Sequence, residues 1–185
     1  GKGTLKANTF TCAGKIFAGW ATAADGAVVY EDGAAITTET DLDLYAVWAD
    51  AYTVTLQDGD SVFATVPVPQ NSAIGSRIPT DPTKKGYLFE GWFRGEEKLT
   101  AETVISGDVT YTAKWSPITY TIAFGAGEGE GQMDSISAIY DQEVTLPRST
   151  FTRPGYTFSS WSASTIGSYA DGAAVKNLTA KQGDT

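Results

Sequence analysis

Short segments in which apolar and polar residues alternate recur along the chain. In YTVTL, residues 52–56, the aromatic and aliphatic side chains fall on one face of an extended strand and the threonines on the other. YTIAF, LDLYAVW and VTYTAKW repeat this alternation at residues 120–124, 42–48 and 109–115. β-branched and aromatic residues, which strands favour, dominate these segments. The alternation predicts half-buried antiparallel strands.

Helical signals are weak throughout the chain. Gly, Pro, Thr and Asp interrupt the sequence too often for a long apolar stripe with a period of about 3.6 residues. We expect at most one short helical turn, near residues 100–105. The pattern therefore predicts a mainly β chain.

The chain contains an internal repeat. A Gly, a Phe and a Trp recur at one spacing in GKIFAGW (14–20), GYLFEGW (86–92) and GYTFSSW (155–161). The match extends beyond these heptads, since residues 5–20 align with residues 146–161 without a gap. Each unit runs from a YTxxx strand through GxxFxxW to an alternating strand that ends in Trp. Such a period indicates tandem modules, and it governs the interpretation of the whole fold.

The repeat divides the chain into three predicted modules. Residues 1–50 form a first repeat that lacks its opening strand, and residues 51–116 form a complete second repeat. Residues 117–185 form a third repeat that lacks its closing strand. In this register both terminal modules present strand edges without a partner, and such edges favour pairing with another chain. We therefore predict edge-strand contacts between chains.

The recurring aromatic and glycine positions are predicted to be structural. Each Trp stands at a recurrent strand position beside apolar neighbours, which favours packing in a core. The alternative is an exposed indole that stacks on a sugar ring, and Trp48 and Trp115 at the strand ends are the best placed for it. The predicted structural positions are Gly14, Phe17, Trp20, Trp48, Gly86, Tyr87, Phe89, Gly91, Trp92, Trp115, Gly155, Tyr156, Phe158 and Trp161.

The heptad itself is predicted to be a turn followed by a core strand. Pro82 restricts the approach, and Gly86 can adopt the positive φ of a tight turn. Strict alternation would place Phe89 and Trp92 on opposite faces of the strand. The residue before each Trp is small, which favours a bulge that turns both rings towards one core. A flat strand buried on both faces is the alternative.

Composition and charge exclude several classes of function. The net charge of −9, from 13 basic and 22 acidic residues, argues against a nucleic-acid partner. No apolar run approaches the roughly 20 residues that span a bilayer, so direct membrane insertion is not expected. Cys12 is the only cysteine and there is no histidine. These counts exclude an intramolecular disulfide, a Cys/His zinc site and a nucleophile activated by histidine.

Two acidic, glycine-rich segments resemble calcium loops in composition. QDGDS (57–61) and GAGEGEGQMD (125–134) lie after an opening strand, where a hairpin turn belongs, and neither has the ligand spacing of a calcium loop. We predict turns there, with calcium as the alternative. No carboxylate pair stands out for glycoside hydrolysis, and repeats of this size are expected to be too small for a deep pocket. A Lys–Asp or Lys–Asn isopeptide bond is a further hypothesis, which intact mass would test. We predict no catalytic residue, no cofactor and no metal ligand.

The GYxFxGW heptad, its Pro- and Thr-rich approach and the closing YAxW strand make the chain similar to tandem Listeria–Bacteroides repeats, modules like the B repeat of internalins. The resemblance covers essentially the whole chain. It departs from the usual pattern at Lys15, where the other repeats have Tyr, and at Ser160, which replaces Gly. The resemblance implies a mostly β module with a β-grasp-like, ubiquitin-like arrangement of about four strands and little helix. It also implies an extracellular bacterial setting, with serial modules between an anchor and a distal adhesive domain.

We therefore predict a non-enzymatic tandem-repeat segment of a bacterial cell-surface or secreted protein. It would act as a spacer or presenting stalk and as an adhesion module that contacts a host or neighbouring-cell protein or glycan. Several weak units in series add avidity without a deep site. The alternative is a specific glycan- or protein-binding module that uses exposed aromatic residues. A contiguous exposed aromatic patch would favour that alternative.

Overall fold

The computed structural model describes residues 2–38, 40–163 and 166–185. These residues form a mainly β structure, which confirms the predicted class, and their one helical element is a 3₁₀-helix at Gly75–Arg77. The strands are β1 (Lys2–Thr4), β2 (Ile16–Ala21), β3 (Ala35–Thr37), β4 (Tyr45–Ala49), β5 (Ala51–Asp58), β6 (Ser61–Pro69), β7 (Ser72–Ala73), β8 (Tyr87–Arg94), β9 (Glu97–Lys98), β10 (Val104–Ile105), β11 (Val109–Pro117), β12 (Thr119–Ile122), β13 (Ile136–Ile139), β14 (Val144–Thr145), β15 (Trp161–Ala163), β16 (Gly167–Tyr169) and β17 (Ala174–Val175).

The chain divides into two compact units. Unit 1 comprises residues 1–80 and 91–114, and unit 2 comprises residues 81–90 and 115–185. Strands β8 and β11 contribute residues to both units.

The largest sheet belongs to the second predicted repeat and has the strand order β6-β5-β11-β8-β9. β5 and β6 form an antiparallel hairpin in which Ala51 lies opposite Pro69. β11 pairs with the other edge of β5 in parallel, with Val109 opposite Val54. The prediction that YTVTL pairs only with antiparallel neighbours was therefore wrong for its pairing with β11. Alternation reports which face is buried but not the direction of a neighbour, and a parallel neighbour needs a long crossover connection.

The inward residues of β5 and β11 form the core of this sheet. Val54 and Leu56 are fully buried, and Tyr111, which lies opposite Leu56, is buried as well. Thr53 and Thr110, which precede Val54 and Tyr111, are exposed, and Thr55 between Val54 and Leu56 is half-buried. The burial follows the period of two in the sequence because alternate side chains of a strand point to opposite faces.

A bulge interrupts the motif strand of the first repeat. Gly19 has a φ of +151°, and the ladder between β2 and β4 shifts register between Phe17 and Gly19. The ring centroids of Phe17 and Trp20 lie 4.9 Å apart, so both rings face one cluster. The predicted bulge is confirmed in this repeat. Gly91 of the second repeat also has a positive φ, of +136°.

The helical turn was predicted in the wrong place. Residues 100–105 contain a turn, closed by the Thr103 N–H that donates to the Thr100 carbonyl over 3.0 Å, followed by β10. The Thr103 hydroxyl accepts a hydrogen bond from the Thr100 amide at 3.0 Å. Local side-chain bonds of this kind compete with a helix, which explains the outcome.

The terminal repeats form smaller antiparallel sheets. β1 pairs with β3, and β2 pairs with β4. In the third predicted repeat β12 pairs with β13, β14 with β17, and β15 with β16. Each of these sheets has two strands among the described residues.

Successive predicted repeats join through single residues. β4 ends at Ala49 and β5 begins at Ala51, so only Asp50 lies between them. β11 ends at Pro117 and β12 begins at Thr119, with Ile118 between them. Ile118 is 2% exposed. Each connection between predicted repeats is therefore a single residue.

Candidate functional site

The motif Trp of the first repeat lies in a cluster of aromatic rings. Trp20 is buried. Its ring centroid lies 4.9 Å from that of Phe17 and 6.3 Å from that of Phe10, both in edge-to-face geometry. Trp48 at the end of β4 packs on Phe17 with a centroid distance of 5.8 Å. Edge-to-face pairs are a favoured arrangement in protein interiors, so this cluster has the character of a core.

The second repeat uses related contacts. Trp92 is 2% exposed, and its ring lies 5.3 Å from that of Phe63 on β6. Trp115 at the end of β11 packs on Phe89 at 5.1 Å. The Lys84 ammonium lies 5.6 Å from the Trp115 ring centroid, a distance at which a cation and a ring attract each other.

The third repeat has the same ring cluster but a different exposure. Trp161 lies 4.8 Å from Phe124, 4.8 Å from Phe158 and 6.1 Å from Phe151. Phe158 is nevertheless 40% exposed, and Tyr156 is 65% exposed. Two of the three side chains that were predicted to be structural in this heptad, Tyr156 and Phe158, therefore lie at the surface of the described structure.

A cavity of about 780 Å³ adjoins this cluster within unit 2. Its lining includes the apolar residues Ile122, Phe124, Leu146, Phe158 and Trp161. The lining includes the exposed residues Tyr156 and Phe158, so the cavity is open to solvent. The volume is in the range of small-ligand pockets, and the lining also includes the charged residues Glu128, Glu130 and Arg153.

The motif glycines occupy turns with a positive φ. Gly14, Gly86 and Gly155 have φ values of +71°, +80° and +79°. Gly86 is buried, and a Cβ atom there would lie 2.3 Å from the Tyr140 ring. Gly14 and Gly155 are exposed with open space around them. The three positions share a backbone conformation, whereas close packing requires glycine at Gly86 alone.

A polar cluster lies next to Gly86 in unit 2. The Tyr87 hydroxyl donates to Asp141 Oδ2 over 2.6 Å, and Asn177 Nδ2 donates to Oδ1 over 2.7 Å. The hydrogen bonds from Tyr87 and then Asn177 lower the pKa of Asp141 below its ordinary value. The bond to Asp141 in turn raises the pKa of Tyr87. These hydrogen bonds connect the turn after β13 to the start of β8, next to the motif turn.

The acidic segments do not form a metal site in the described structure. Gly59 and Asp60 form the turn between β5 and β6, as predicted for QDGDS. Residues 125–134 form a longer loop instead, in which Glu130 and Thr152 exchange two backbone hydrogen bonds of 2.7 and 3.0 Å. No group of three His, Cys, Asp or Glu side chains is arranged to hold a metal ion in the part of the chain that the structure describes.

Cys12 and Lys15 lie at the exposed start of the first motif. Cys12 is exposed and forms a backbone bridge with Lys15. The Lys15 ammonium lies 2.8 Å from Asp50 Oδ1, so the residue that departs from the family's tyrosine makes an ion pair with the connecting residue instead.

Several cluster residues were not predicted. Phe10 and Phe151 pack on Trp20 and Trp161 with nearly the same geometry, at 6.3 and 6.1 Å. They occupy the same position in the gapless alignment of residues 5–20 with 146–161, so the repeat itself carried the signal. Phe63 had no such signal because it contacts Trp92 across the sheet.

These features define a tandem-repeat β protein whose motif aromatic residues surround a recurring tryptophan. The particular family follows from comparison of the sequence. The Listeria–Bacteroides repeat domain matches residues 1–47, 52–114 and 120–180. The chain belongs to this family, which confirms the resemblance.

Similar proteins occur in two bacteria. "Putative membrane protein" of Evansella cellulosilytica is 35% identical over 142 residues, which cover 71% of this chain and 21% of that protein. "Putative Gly-rich membrane protein" of the same organism is 31% identical over 64% of this chain and 14% of that protein. Internalin H of Listeria monocytogenes is 31% identical over 60% of this chain and 20% of its own length. The chain thus spans about a fifth or less of these relatives.

No solved structure is significantly similar to this chain. Among the described residues, none of the helical structure is long and apolar enough to cross a membrane.

Proposed function

We propose that this chain is a non-enzymatic tandem-repeat segment of a bacterial cell-surface or secreted protein, and that it acts as a spacer that presents other parts of that protein. The observation that carries the proposal is the one-residue connection between successive repeats, made through Asp50 and Ile118. Repeat arrays gain stiffness when each unit packs on its neighbour, and a connection of one residue leaves little freedom between units.

The strand order supports a β-grasp-like module for the second repeat. β5, β6, β8 and β11 are its four main strands in chain order, and they stand in the sheet as β6-β5-β11-β8. The first and last of them are parallel neighbours at the centre. The segment between β6 and β8 carries the 3₁₀-helix at Gly75–Arg77, where a β-grasp fold crosses over its sheet.

The connection at Asp50 is stabilised by hydrogen bonds and an ion pair within unit 1. The Gln70 amide donates to the Asp50 carbonyl over 2.9 Å, and Lys15 pairs with the Asp50 carboxylate. Arg77 Nη2 donates to the Phe17 carbonyl over 3.3 Å. The first and second repeats are therefore tied by backbone and side-chain hydrogen bonds as well as by the chain itself.

The connection at Ile118 is stabilised by hydrogen bonds within unit 2. The Tyr140 amide donates to the Ile118 carbonyl over 2.9 Å, and the Ile118 amide donates to the Gly86 carbonyl over 3.0 Å. Tyr87 packs against Tyr140 at 5.8 Å and bonds to Asp141. Both backbone groups of Ile118 are thus satisfied while its side chain is buried, which opposes bending at this residue.

The relatives support an extracellular setting. They include two proteins named as membrane proteins and an internalin, and this chain corresponds to only a small part of each. A repeat that occurs within long proteins of this kind suits a spacing role. Adhesion to a host or neighbouring-cell protein or glycan would then belong to the whole protein.

Distance measurements between spin labels test the spacer. In a Cys12→Ser chain, one label is attached to Thr83→Cys and one to Ser168→Cys, both exposed residues of unit 2, and double electron–electron resonance is recorded. We expect one narrow distance distribution, which Ile118→Gly broadens because it removes the buried side chain of the connection. Val104→Gly, the same kind of change at a residue that is 59% exposed, should leave the distribution narrow. A broad distribution in the unmodified chain would refute the spacer.

One observation favours the alternative of a binding module. Tyr156 and Phe158 are exposed aromatic residues that line the cavity of unit 2. A glycan array distinguishes the two roles, since binding that is lost in Tyr156→Ala while the thermal melting temperature is unchanged would establish a glycan site. The absence of binding would refute the glycan site.

A further inference from the structure

The sheet of the second repeat carries two lysines on either side of one aromatic ring. β8 lies between β11 and β9 in this sheet. The Lys114 ammonium of β11 lies 5.1 Å from the ring centroid of Phe93 on β8, and the Lys98 ammonium of β9 lies 5.9 Å from it. Lys98 is also directly opposite Phe93 in the ladder. The three side chains therefore form a row across three strands, which we call the cationic row.

Strand alternation places the cationic row on the solvent side of the sheet. Lys114 is exposed, whereas Tyr111, three residues earlier on β11, is 2% exposed and belongs to the core. Arg94, the residue after Phe93, lies 5.9 Å from the Tyr111 ring centroid and thus on the core side. The row lies within unit 1, in a repeat that has another repeat on each side along the chain.

The two ammonium groups have no carboxylate to neutralise them. In the part of the chain that the structure describes, neither Lys98 nor Lys114 forms an ion pair. Glu97, which precedes Lys98, is paired with Arg94 at 2.6 Å. The cationic row is therefore a local positive site on a chain whose net charge is −9.

The motif residue Gly91 allows Lys98 to lie along β8. A Cβ atom at Gly91 would lie 2.5 Å from Lys98 Cε and 3.1 Å from Lys98 Nζ. Lys98 thus passes close to the bare backbone of Gly91, and its ammonium is attracted to the Phe93 ring. A side chain that is already positioned loses less conformational freedom when a ligand binds.

The spacing of the cationic row favours a polysaccharide over an extended peptide. β11 and β9 are two strand spacings apart, which is about 9.5 Å. Carboxylates on one face of an extended peptide recur at about 6.7 or 13 Å. In a polysaccharide with a uronate at every second sugar, consecutive carboxylates are two pyranose rings apart, and each ring is about as long as one strand spacing.

Threonine hydroxyls continue the same face of β11. Thr110 and Thr112 are exposed and alternate with the core residue Tyr111, so they lie on the face of Lys114. A hydroxyl both donates and accepts hydrogen bonds, as the hydroxyls of a sugar do. The face therefore combines positive charge with groups that pair with sugar hydroxyls.

We propose that the cationic row binds an acidic polysaccharide that carries a carboxylate on alternate sugars. One carboxylate lies at Lys98 and the next at Lys114, with the intervening sugar beside Phe93. Thr110 and Thr112 form hydrogen bonds with the sugar hydroxyls. Complementary charge gives such a surface its specificity for an anionic ligand. The site does not depend on the spacer function.

A defined oligosaccharide tests the site. An octasaccharide of alternating glucuronate and N-acetylglucosamine is titrated into the full 185-residue chain at low salt, and binding is measured by calorimetry. The control is the same oligosaccharide with its carboxylates reduced to alcohols. We expect saturable binding of the acidic form alone, weakened by added NaCl because salt screens exposed charges. No saturable binding, or equal binding of the reduced form, overturns the proposal, as does equally tight binding of an oligoglutamate with the same number of carboxylates.

Protein variants locate the binding. Lys98→Gln and Lys114→Gln should each weaken it by about two- to fivefold, and the double variant by about tenfold, since exposed charge contacts contribute modestly. Lys181→Gln removes the same charge from a side chain of unit 2 that is 80% exposed, and it should leave the binding unchanged. If Lys181→Gln weakens binding as much as the other two variants, the attraction depends on net charge alone and the proposal is overturned.

Discussion

Replacing Trp92 with alanine should unfold the second repeat at moderate temperature. The Trp92 side chain is 2% exposed and packs against Phe63 at 5.3 Å, so the substitution removes a large buried group and leaves a cavity. Trp to Ala changes in cores cost about 3–5 kcal/mol. A small domain is commonly stable by only about 5–15 kcal/mol, so this loss is a large fraction of the total.

The measurement is thermal unfolding followed by far-ultraviolet circular dichroism. For a domain of this size a loss of about 1 kcal/mol lowers the melting temperature by roughly 4–8 °C, so we expect a decrease of roughly 12–40 °C. Amide hydrogen exchange should also accelerate at Val54 and Leu56, which lie in the core of the same unit.

Tyr156→Ala is the matched control, since it removes another aromatic ring. Tyr156 is 65% exposed, and its ring lies 3.8 Å from the Arg153 guanidinium carbon. Exposed contacts of this kind are worth about 1 kcal/mol or less, so its melting temperature should change by a few degrees only. If Trp92→Ala behaves like Tyr156→Ala, Trp92 does not support the core and the reasoning fails.

Two further predictions concern the bulge and the polar cluster. Gly19→Ala should lower the melting temperature, because Gly19 has a φ of +151° and an added Cβ atom would lie 2.4 Å from Val28 Cγ1. Gly107→Ala is the control, since its Cβ atom meets open space, and it should be nearly neutral. Equal changes in melting temperature for the two variants would contradict the bulge. Hydrogen bonds lower the folded-state pKa of Asp141, so its stabilising contribution is present above the ordinary Asp pKa of about 3.9 and is lost as the pH falls below it. The difference in melting temperature between the unmodified chain and Asp141→Asn should therefore shrink between pH 6 and pH 2, and a constant difference would show that the Tyr87 bond does not act through charge.

Much of the strand content was predictable because local alternation and strand formation go together. LDLYAVW overlaps β4 from Tyr45 to Trp48, and YTVTL and VTYTAKW lie within β5 and β11. YTIAF was predicted on the same grounds, yet β12 ends at Ile122 and does not include Phe124. A strand persists where a neighbour pairs with it, and β11 supplies that neighbour to β5, whereas no described strand does so at Phe124.

The candidate site was less predictable for a related reason. The heptads predicted a turn and a buried ring in every repeat, because they contain the same residue types in the same order. The cavity beside Phe158 depends on which strand lies next to which, and no local pattern contains that information. For the same reason, the parallel pairing of β5 with β11 was not predicted from the sequence.

The order of residues is sufficient to establish the period of the repeat, the alternation of each strand and the glycine turns, because these depend on neighbours within a few positions along the chain. Burial depends on groups far apart in sequence. Phe17 and Phe158 stand at the same place in their repeats, but Trp48 packs on Phe17 while Phe158 remains 40% exposed. One motif thus produces a half-buried ring in one repeat and an exposed ring in another, because burial depends on contacts between residues far apart in sequence.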